Sequence, residues 1–487
     1  MKREFLINII FLITINALIK PFYIFGIDRS VQNAVGEHIY GVYYAMWSFS
    51  FMFQIVCDLG IQNYNTREIA RHRHLLDKYI ARILSLKLLL SAVYFCLTFC
   101  VGFFVYKGEN TTLLILLCCN QILTSFIFYL RSNIAGLGFY RTDSILSATD
   151  RLLLIVIVGT ILIVPTWRQN LTILRFAALQ VVSLCITAVI AFVIIYGKTA
   201  RLRLHFKSVY ARIVLKEALP YALAVFLMTL YTRPDAVLLE RMLSDGAKQA
   251  GIYASAYRLL DALNMLGFLV AGLLLPMLSN LIKKKQSTLP LVRLSIEIIL
   301  FCALIAASGI IPHRFAVMSY LYREATVYSG DVLSLLIVSF IALSCSYILS
   351  TYLIANGNLS RANKIYLFAI PLSIVSNIIL IPQYKAFGAA CSTLMTQFFV
   401  VVMLYTEARK YLKPENEITW WLKLGAYAVL CFGAQFLLRS VFPDGKFWIL
   451  MFSGSIISAL GAYLIGFIKF KEISGILDNS KIEVVAP

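Results

Sequence analysis

An arginine, a proline and an aspartate interrupt the apolar stretch 227–243, which reads LMTLYTRPDAVLLERML. Arg233 carries a planar fork of N–H donors that suits the oxygens of a phosphate or a carboxylate. Pro234 has no backbone N–H and frees backbone groups, which is tolerated in an apolar helix only beside protein or water. Asp235 adds an acid that could couple a proton or Na⁺. These residue types predict an anion-binding site with an acid next to it, and the alternative for Arg233 is a structural pair with a neighbouring acid.

Two other places in the chain combine a cation with a helix breaker or an acid. Lys20 precedes Pro21, and Arg258 precedes Asp261 by three residues, so the latter two share a helix face. Lys20 is a second candidate for the anion site, with snorkelling to the surface as its alternative. One interpretation is that Arg258 and Asp261 form a buried ion pair. The alternatives are that Arg258 is a cation whose strength Asp261 moderates, or that the two residues form a site for a coupling ion.

The elements that must position these residues are membrane-spanning helices. Hydrophobic residues make up 60% of the 487 residues and charged residues only 14%, whereas soluble domains hold about 45–50% and about 25%. The ten cysteines lie in apolar blocks without a Cys-x-x-Cys pair, and the five histidines are scattered. We therefore expect an all-α integral membrane protein with no metal, no disulfide framework and no cofactor, except for a possible coupling ion, H⁺ or Na⁺.

Hydropathy predicts about 14 spans, each about 20 residues long and able to cross a hydrocarbon core of about 30 Å. The predicted bounds are 5–27, 38–62, 80–103, 112–133, 146–166, 173–197, 217–242, 250–280, 293–312, 332–355, 364–384, 387–408, 420–440 and 447–468. Lys87 inside the third span is expected to snorkel inward. Asp28 and Arg29 are expected to be solvated at the outer mouth.

Positive charge indicates the orientation of the spans. With a cytoplasmic N-terminus, roughly 29 lysines and arginines lie on the inner side and about 10 on the outer side. This bias predicts that both termini are cytoplasmic, and it explains most of the net charge of +20 by topology and by attraction to anionic lipids. Binding of nucleic acid is therefore not expected.

The two halves of the chain resemble each other at an offset of about 210–220 residues. Gly41 and Gly251 each open a Gly-x-Tyr at the start of a span, and Lys20 and Arg233 each lie 17 positions after a cation. A repeat of six spans predicts two lobes related by a pseudo-two-fold axis along the membrane normal, with a site between them near mid-membrane. The expected domains are 1–200 (spans 1–6), 201–412 (spans 7–12) and 413–487 (an appended helix pair and a cytoplasmic tail).

The predicted spans place three cations at a similar depth. Lys20 and Arg233 lie about 8 residues, or about 12 Å, from the outer ends of their spans, and Arg258 has a similar depth. An arginine that faces lipid near the membrane centre costs about 3 kcal/mol or more. We therefore expect all three to line one water-filled cavity that favours an anionic ligand.

The run 39–70, IYGVYYAMWSFSFMFQIVCDLGIQNYNTREIA, resembles the start of Wzx-type polysaccharide-biosynthesis flippases, which belong to the multidrug/oligosaccharidyl-lipid/polysaccharide exporter superfamily. The similar features are Tyr40-Gly41, Asp58-Leu59-Gly60 at the inner end of the second span, and Arg67-Glu68-Ile69-Ala70 in the first inside loop. Basic residues on helices one, two, seven and eight are typical of the family. The second span here carries no such cation.

The resemblance implies a bacterial inner-membrane flippase, not an enzyme, that works by alternating access. Its implied substrate is an undecaprenyl-pyrophosphate-linked oligosaccharide, moved from the inner to the outer leaflet for O-antigen or lipopolysaccharide synthesis. Other glycan-assembly proteins and membrane lipids are the implied partners. The alternatives are a multidrug or cation exporter of the same superfamily and, less favoured because no large outer domain is expected, a membrane glycosyltransferase or O-antigen polymerase.

The orientation can be tested by cysteine labelling in a variant without native cysteines. Cysteines placed at 110, 170 and 445 should react with an impermeant thiol reagent added to intact cells, because these positions fall in predicted outside loops. Cysteines at 75, 205 and 284 should react only after the cells are permeabilised. Labelling of position 284 in intact cells would reverse the orientation and remove the depth argument for the cations.

Overall fold

The computed structural model describes residues 14–16, 18–62, 65–66, 69, 76–197, 208–413, 417–443 and 445–467. Several features of the sequence lie outside the described residues. They are Arg67, Glu68 and Ala70 of the first inside loop, most of the basic segment 198–216, and the tail after residue 467.

The described chain is helical, and the helices are numbered here in chain order. A π-helix, Tyr23–Asp28, continues the first span. The others are α1 (Arg29–Val35), α2 (Glu37–Met52), α3 (Leu76–Val105), α4 (Thr111–Gly136), α5 (Tyr140–Ile163), α6 (Ile173–Tyr196), α7 (Ser208–Thr232), α8 (Pro234–Met242), α9 (Gly246–Lys283), α10 (Leu289–Ile310), α11 (Val327–Ala355), α12 (Leu359–Leu412), α13 (Glu417–Val441) and α14 (Phe447–Leu464). Short helices Pro165–Arg168 and Arg314–Leu321 and a 3₁₀ turn, Gln54–Cys57, connect some of them.

The prediction of an all-α membrane protein with about fourteen spans is confirmed. Within the described residues, 11 helices are long and apolar enough to cross a membrane. One of them, α12, has 54 residues and contains Lys385 with φ 53° and ψ −131°, so it comprises two helices on either side of that residue. The break lies between the predicted spans 364–384 and 387–408. Helix α2 has only 16 residues because a 3₁₀ turn follows it.

The described residues form two compact units. The first consists of residues within Arg3–Ser255 together with Tyr366–Ala389, and the second of Ala256–Ile365 with residues after Ala390. In the second unit, α13 and α14 pack on α10 through Tyr427, Cys431 and Leu304. The appended helix pair is thus fixed to a span of this unit. The predicted lobe boundaries near residues 200 and 412 stay a prediction.

In the first unit, the Asp58-Leu59-Gly60 motif ends the second span in a tight turn. Leu59 and Gly60 both have positive φ, 43° and 78°. A Cβ atom on Gly60 would lie 2.8 Å from the carbonyl oxygen of Ala218 in α7. Glycine is required here on two grounds, because the backbone is left-handed and because another helix passes directly over it.

The Gly-x-Tyr segments of the repeat meet each other in the first unit. A Cβ atom on Gly41 would lie 1.8 Å from the carbonyl oxygen of Ala247, and one on Gly251 would lie 2.0 Å from that of Glu37. Glu37 and Gly41 are four residues apart, as are Ala247 and Gly251, and the two sets differ by 210 positions. Small residues at a helix crossing let the backbones approach closely. Gly41 contacts Ala247 and Gly251 contacts Glu37, so each copy of the repeat supplies the same pair of positions. The contact is reciprocal.

The Gly41–Gly251 crossing can be tested with alanine. Gly41→Ala and Gly251→Ala must push two backbones apart, and such overpacking costs about 1–3 kcal/mol. We expect each to lower the apparent melting temperature of the detergent-solubilised protein. Gly272→Ala in the same helix α9 is the control, because nothing lies within 4 Å of a Cβ atom there. It should leave the melting temperature unchanged or raise it, since alanine is the better helix former. Equal shifts for all three would argue against the close crossing.

Candidate functional site

The helix break predicted at Arg233 and Pro234 is present. Helix α7 ends at Thr232 and α8 begins at Pro234, with Arg233 between them at φ −118° and ψ −6°. Proline occupies the first position of α8, where its missing N–H costs no hydrogen bond. Thr229 and Thr232 donate their hydroxyl protons to backbone oxygens one turn earlier, at 2.8 and 2.9 Å. Their hydroxyls thus stay within the last turn of α7, and the arginine projects from the break.

Arg233 lies against an aromatic surface of α2. Its Cζ atom is 5.4 Å from the ring centroid of Trp47 and 5.4 Å from that of Phe51. The two rings are stacked, with centroids 5.2 Å apart and an interplanar angle of 19°. The side chain is half-buried. A cation over aromatic rings gains about 2 kcal/mol when it is desolvated, so the rings help to hold the guanidinium in place inside a membrane span.

Asp235 has different surroundings, although it is only two residues away. It is 2% exposed. One carboxylate oxygen accepts a hydrogen bond from the Tyr253 hydroxyl at 2.7 Å, and the other accepts one from the Asn377 amide at 2.7 Å. The Asn377 amide also donates to the carbonyl oxygen of Ser373 at 2.9 Å. Asp235 therefore joins α8, α9 and the first part of α12 through buried, charge-assisted hydrogen bonds.

The remaining predicted site residues are divided between the two units. Lys20 is half-buried in the helical turn before the π-helix of the first unit, where Arg151 and Asp150 of α5 act on it electrostatically. Arg258 and Asp261 belong to the second unit and form an ion pair of 3.6 Å, with side chains 12% and 18% exposed. The common cavity for Lys20, Arg233 and Arg258 stays a prediction.

Two expectations about charged residues are wrong. Lys87 does not snorkel: its side chain is 0% exposed, and its ammonium group donates to Asp58 at 2.8 Å, to the Cys57 carbonyl oxygen at 2.9 Å and to the Ser125 hydroxyl at 2.6 Å. Asp28 is not solvated either. It is 1% exposed and accepts a hydrogen bond of 2.6 Å from the Tyr40 hydroxyl. In both cases the protein interior accommodates an ionisable group because specific partners replace water.

Arg151 is a further charged residue that acts on Lys20 and that no sequence pattern singled out. Its neighbour Asp150 lies 3.3 Å away, and its Cζ atom is 4.6 Å from the ring centroid of Tyr23. The signal available in the sequence was an Asp-Arg pair at the fifth and sixth positions of the predicted apolar span 146–166. Hydropathy alone treats such a pair as neutral and does not show that it acts electrostatically on Lys20.

A family model described as "Polysaccharide biosynthesis protein" matches residues 5–282. This is more than half of the chain, and it includes α2, the break at Arg233 and the Gly41–Gly251 crossing. The chain belongs to the polysaccharide biosynthesis protein family. No curated protein sequence matches it.

Solved structures show the same fold as this polysaccharide biosynthesis protein. The lipid II flippase MurJ in an inward closed conformation has a TM-score of 0.71 at 14% identity, with 95% of this chain and 98% of that chain covered. An inward-facing multidrug resistance MATE transporter of the MOP superfamily has a TM-score of 0.62 at 13% identity, covering 80% and 94%. A MOP superfamily transporter from Pyrococcus furiosus has a TM-score of 0.59 at 12% identity, covering 84% and 94%. At these identities the likeness is one of fold.

The buried Lys87–Asp58 pair generates a prediction about stability. Lys87→Met removes the cation from three acceptors, and breaking a buried pair in this way costs about 3–5 kcal/mol. The cost should be near the lower end because Asp58 is 22% exposed. We expect a marked fall in the apparent melting temperature and partial recovery in the double variant Lys87→Met/Asp58→Asn. Lys284→Met, at an exposed position, is the control. If Lys87→Met is as stable as Lys284→Met, the pair does not hold the end of the second span.

Proposed function

We propose that this protein is a flippase that moves an undecaprenyl-pyrophosphate-linked oligosaccharide from the inner to the outer leaflet of a bacterial cytoplasmic membrane by alternating access. The observation that carries the proposal is the placement of Arg233. An arginine lies half-buried at a proline break within a membrane span, with its guanidinium held over the rings of Trp47 and Phe51. Membership of the polysaccharide biosynthesis family gives the substrate class its support.

The chemistry of this surface suits a glycolipid with a pyrophosphate. A guanidinium binds phosphate oxygens through two parallel N–H donors and keeps its charge at any physiological pH. Stacked indole and phenyl rings beside it offer an apolar face for a sugar ring. Because the rings already orient Arg233, binding an anion requires little further ordering of that side chain.

The membrane potential supplies a direction for the transport. Moving one uncompensated charge across the membrane is worth about 2.3 kcal/mol per 100 mV. With the cytoplasm negative, outward movement of a pyrophosphate lipid is downhill. Asp235 and the Asp261–Arg258 pair are the candidates for coupling to H⁺ or Na⁺.

In this proposal both termini are cytoplasmic, the protein works beside other glycan-assembly proteins, and it has no catalytic or nucleic-acid-binding role.

A multidrug or cation exporter is the second candidate, favoured by the fold shared with a multidrug resistance MATE transporter. An exporter of cations should bind its substrates through acids. The charged group that lies on the aromatic surface of α2 is instead a cation, Arg233. The flippase is therefore the preferred function.

The proposed function is tested by polysaccharide export in a strain from which the gene is deleted. Arg233→Ala should reduce surface polysaccharide at least tenfold at unchanged protein abundance in the membrane, because the anion contact is lost. Arg233→Lys should retain part of the export, since a point charge replaces a bidentate group. Arg293→Ala is the matched control. Arg293 is paired with Glu297 at 3.1 Å near the start of α10, and its side chain is 42% exposed. It should export normally.

Two results would contradict the flippase proposal. The first is normal export by Arg233→Ala at wild-type abundance, which would return Arg233 to a structural role. The second is a deletion strain that keeps its polysaccharide but becomes sensitive to cationic drugs, which would favour the exporter.

A further inference from the structure

The first span and α5 run side by side in the first unit with a fixed register. The amide of Asn16 donates to the Ser147 hydroxyl at 2.8 Å. A second contact lies further along: Ile27 is eleven residues after Asn16, and Gly159 is twelve residues after Ser147. The side chain of Ile27 is 3.6 Å from the position that a Cβ atom on Gly159 would occupy. The residue numbers rise together, so the two segments are parallel. One helical turn beyond Asn16 and Ser147 are Lys20 and Arg151.

Arg151 is held in place from two directions. Its Cζ atom lies 4.6 Å from the ring centroid of Tyr23, which is one turn after Lys20 on the first span. Its Nε atom lies 3.3 Å from a carboxylate oxygen of Asp150. Tyr23 is itself buried, and its hydroxyl accepts a hydrogen bond of 3.4 Å from the Gln180 amide. The guanidinium is thus positioned before any ligand binds, and 38% of the side chain stays exposed.

The charges of this group do not cancel. Among the described residues named here, Lys20 and Arg151 contribute two positive charges and Asp150 one negative charge, which leaves +1 for these three side chains. Arg131, which also acts on Lys20, forms its own ion pair of 2.8 Å with Asp143. Excess positive charge inside a membrane span is costly against lipid but favourable beside an anion. The arrangement therefore matches a ligand with at least one negative charge.

We propose that Lys20 and Arg151 form a second phosphate subsite, on the first span and α5, that binds the pyrophosphate of the lipid carrier. Arg151 supplies the bidentate contact and Lys20 a point charge. Tyr23 is the positioning residue for the guanidinium, and Asp150 offsets one of the two positive charges. This inference rests on the proposed function and adds Arg151, on a helix that the resemblance did not implicate. In this proposal Arg151 supplies the basic residue that is typical of helix two in the family and that the second span of this chain does not carry.

Binding to the purified full-length protein tests the subsite. The probes are undecaprenyl pyrophosphate, inorganic pyrophosphate and undecaprenol, each measured in lipid nanodiscs at two salt concentrations. Lys20→Gln and Arg151→Gln should each weaken binding of undecaprenyl pyrophosphate about tenfold and reduce its salt dependence. Arg151→Lys should keep part of the affinity. Undecaprenol should bind equally to all variants, because it has no charge.

Asp150→Asn separates a binding role from a structural one. It raises the net charge of the group from +1 to +2, so a phosphate subsite should bind undecaprenyl pyrophosphate more tightly. If Lys20, Asp150 and Arg151 only hold the first span to α5, Asp150→Asn and Arg151→Gln should both lower the melting temperature. The affinity for undecaprenyl pyrophosphate should then not follow the charge of either variant. Arg293→Gln serves as the control and should bind like the wild type.

The outcomes distinguish the subsite from the proposed function. If the wild type binds undecaprenyl pyrophosphate and both glutamine variants bind it equally well, the subsite is wrong and the flippase proposal is unaffected. If the wild type binds inorganic pyrophosphate but not the lipid, and the glutamine variants lose that binding, the subsite stands and its ligand is a free phosphate compound, contrary to the proposed function. If the wild type binds neither anion, the subsite is overturned.

Discussion

The close crossing of α2 and α9 at Gly41 and Gly251 positions the polar groups of the first unit. Beyond Gly41, α2 carries Trp47 and Phe51 to the side of Arg233. Two residues beyond Gly251, Tyr253 reaches the carboxylate of Asp235. A wider separation of the two backbones would move the aromatic surface and the tyrosine hydroxyl independently of each other. The break between α7 and α8 would then lose its contacts on both sides.

Charge burial follows one rule in the described part of the first unit. Asp28, Lys87 and Asp235 are each nearly inaccessible, and each is hydrogen-bonded to groups on other segments of the chain. Arg233 and Arg151 are less buried and lie over aromatic rings. Fully buried charges are thus satisfied by the protein itself, whereas the more accessible arginines keep part of their surface available. This difference separates residues that hold the helices together from the residues that we propose bind an anion.

Hydropathy and proline placement were sufficient to predict the spans and the break at Arg233. These features depend on local composition: an apolar run must be helical in a membrane, and Pro234 must begin a new helix. The turn at Lys385 was located in the same way, as a short polar gap between two apolar runs. The repeat offset also led to the Gly41 and Gly251 positions that meet in the structure.

The partners of buried charges could not be predicted in this way. Lys87 and Asp58 are 29 residues apart and Asp235 and Asn377 are 142 apart, so no local pattern connects them. Snorkelling was the expectation for Lys87 because hydropathy states the cost of burying a cation but not the acceptors that offset it. Arg151 was overlooked for the opposite reason. Its adjacent acid made it look neutral, and only the register between the first span and α5 brings it to Lys20.

The reciprocal form of the Gly41–Gly251 contact has an evolutionary consequence. Position 41 meets position 37 of the other repeat, and position 37 meets position 41, which is the rule for an isologous interface between two identical subunits. Two identical half-length chains would make the same contact as a homodimer. Gene fusion would then join the two subunits into one chain while keeping their interface. The two copies differ elsewhere: the cation beside the proline is Lys20 in the first and, 213 positions later, Arg233 in the second.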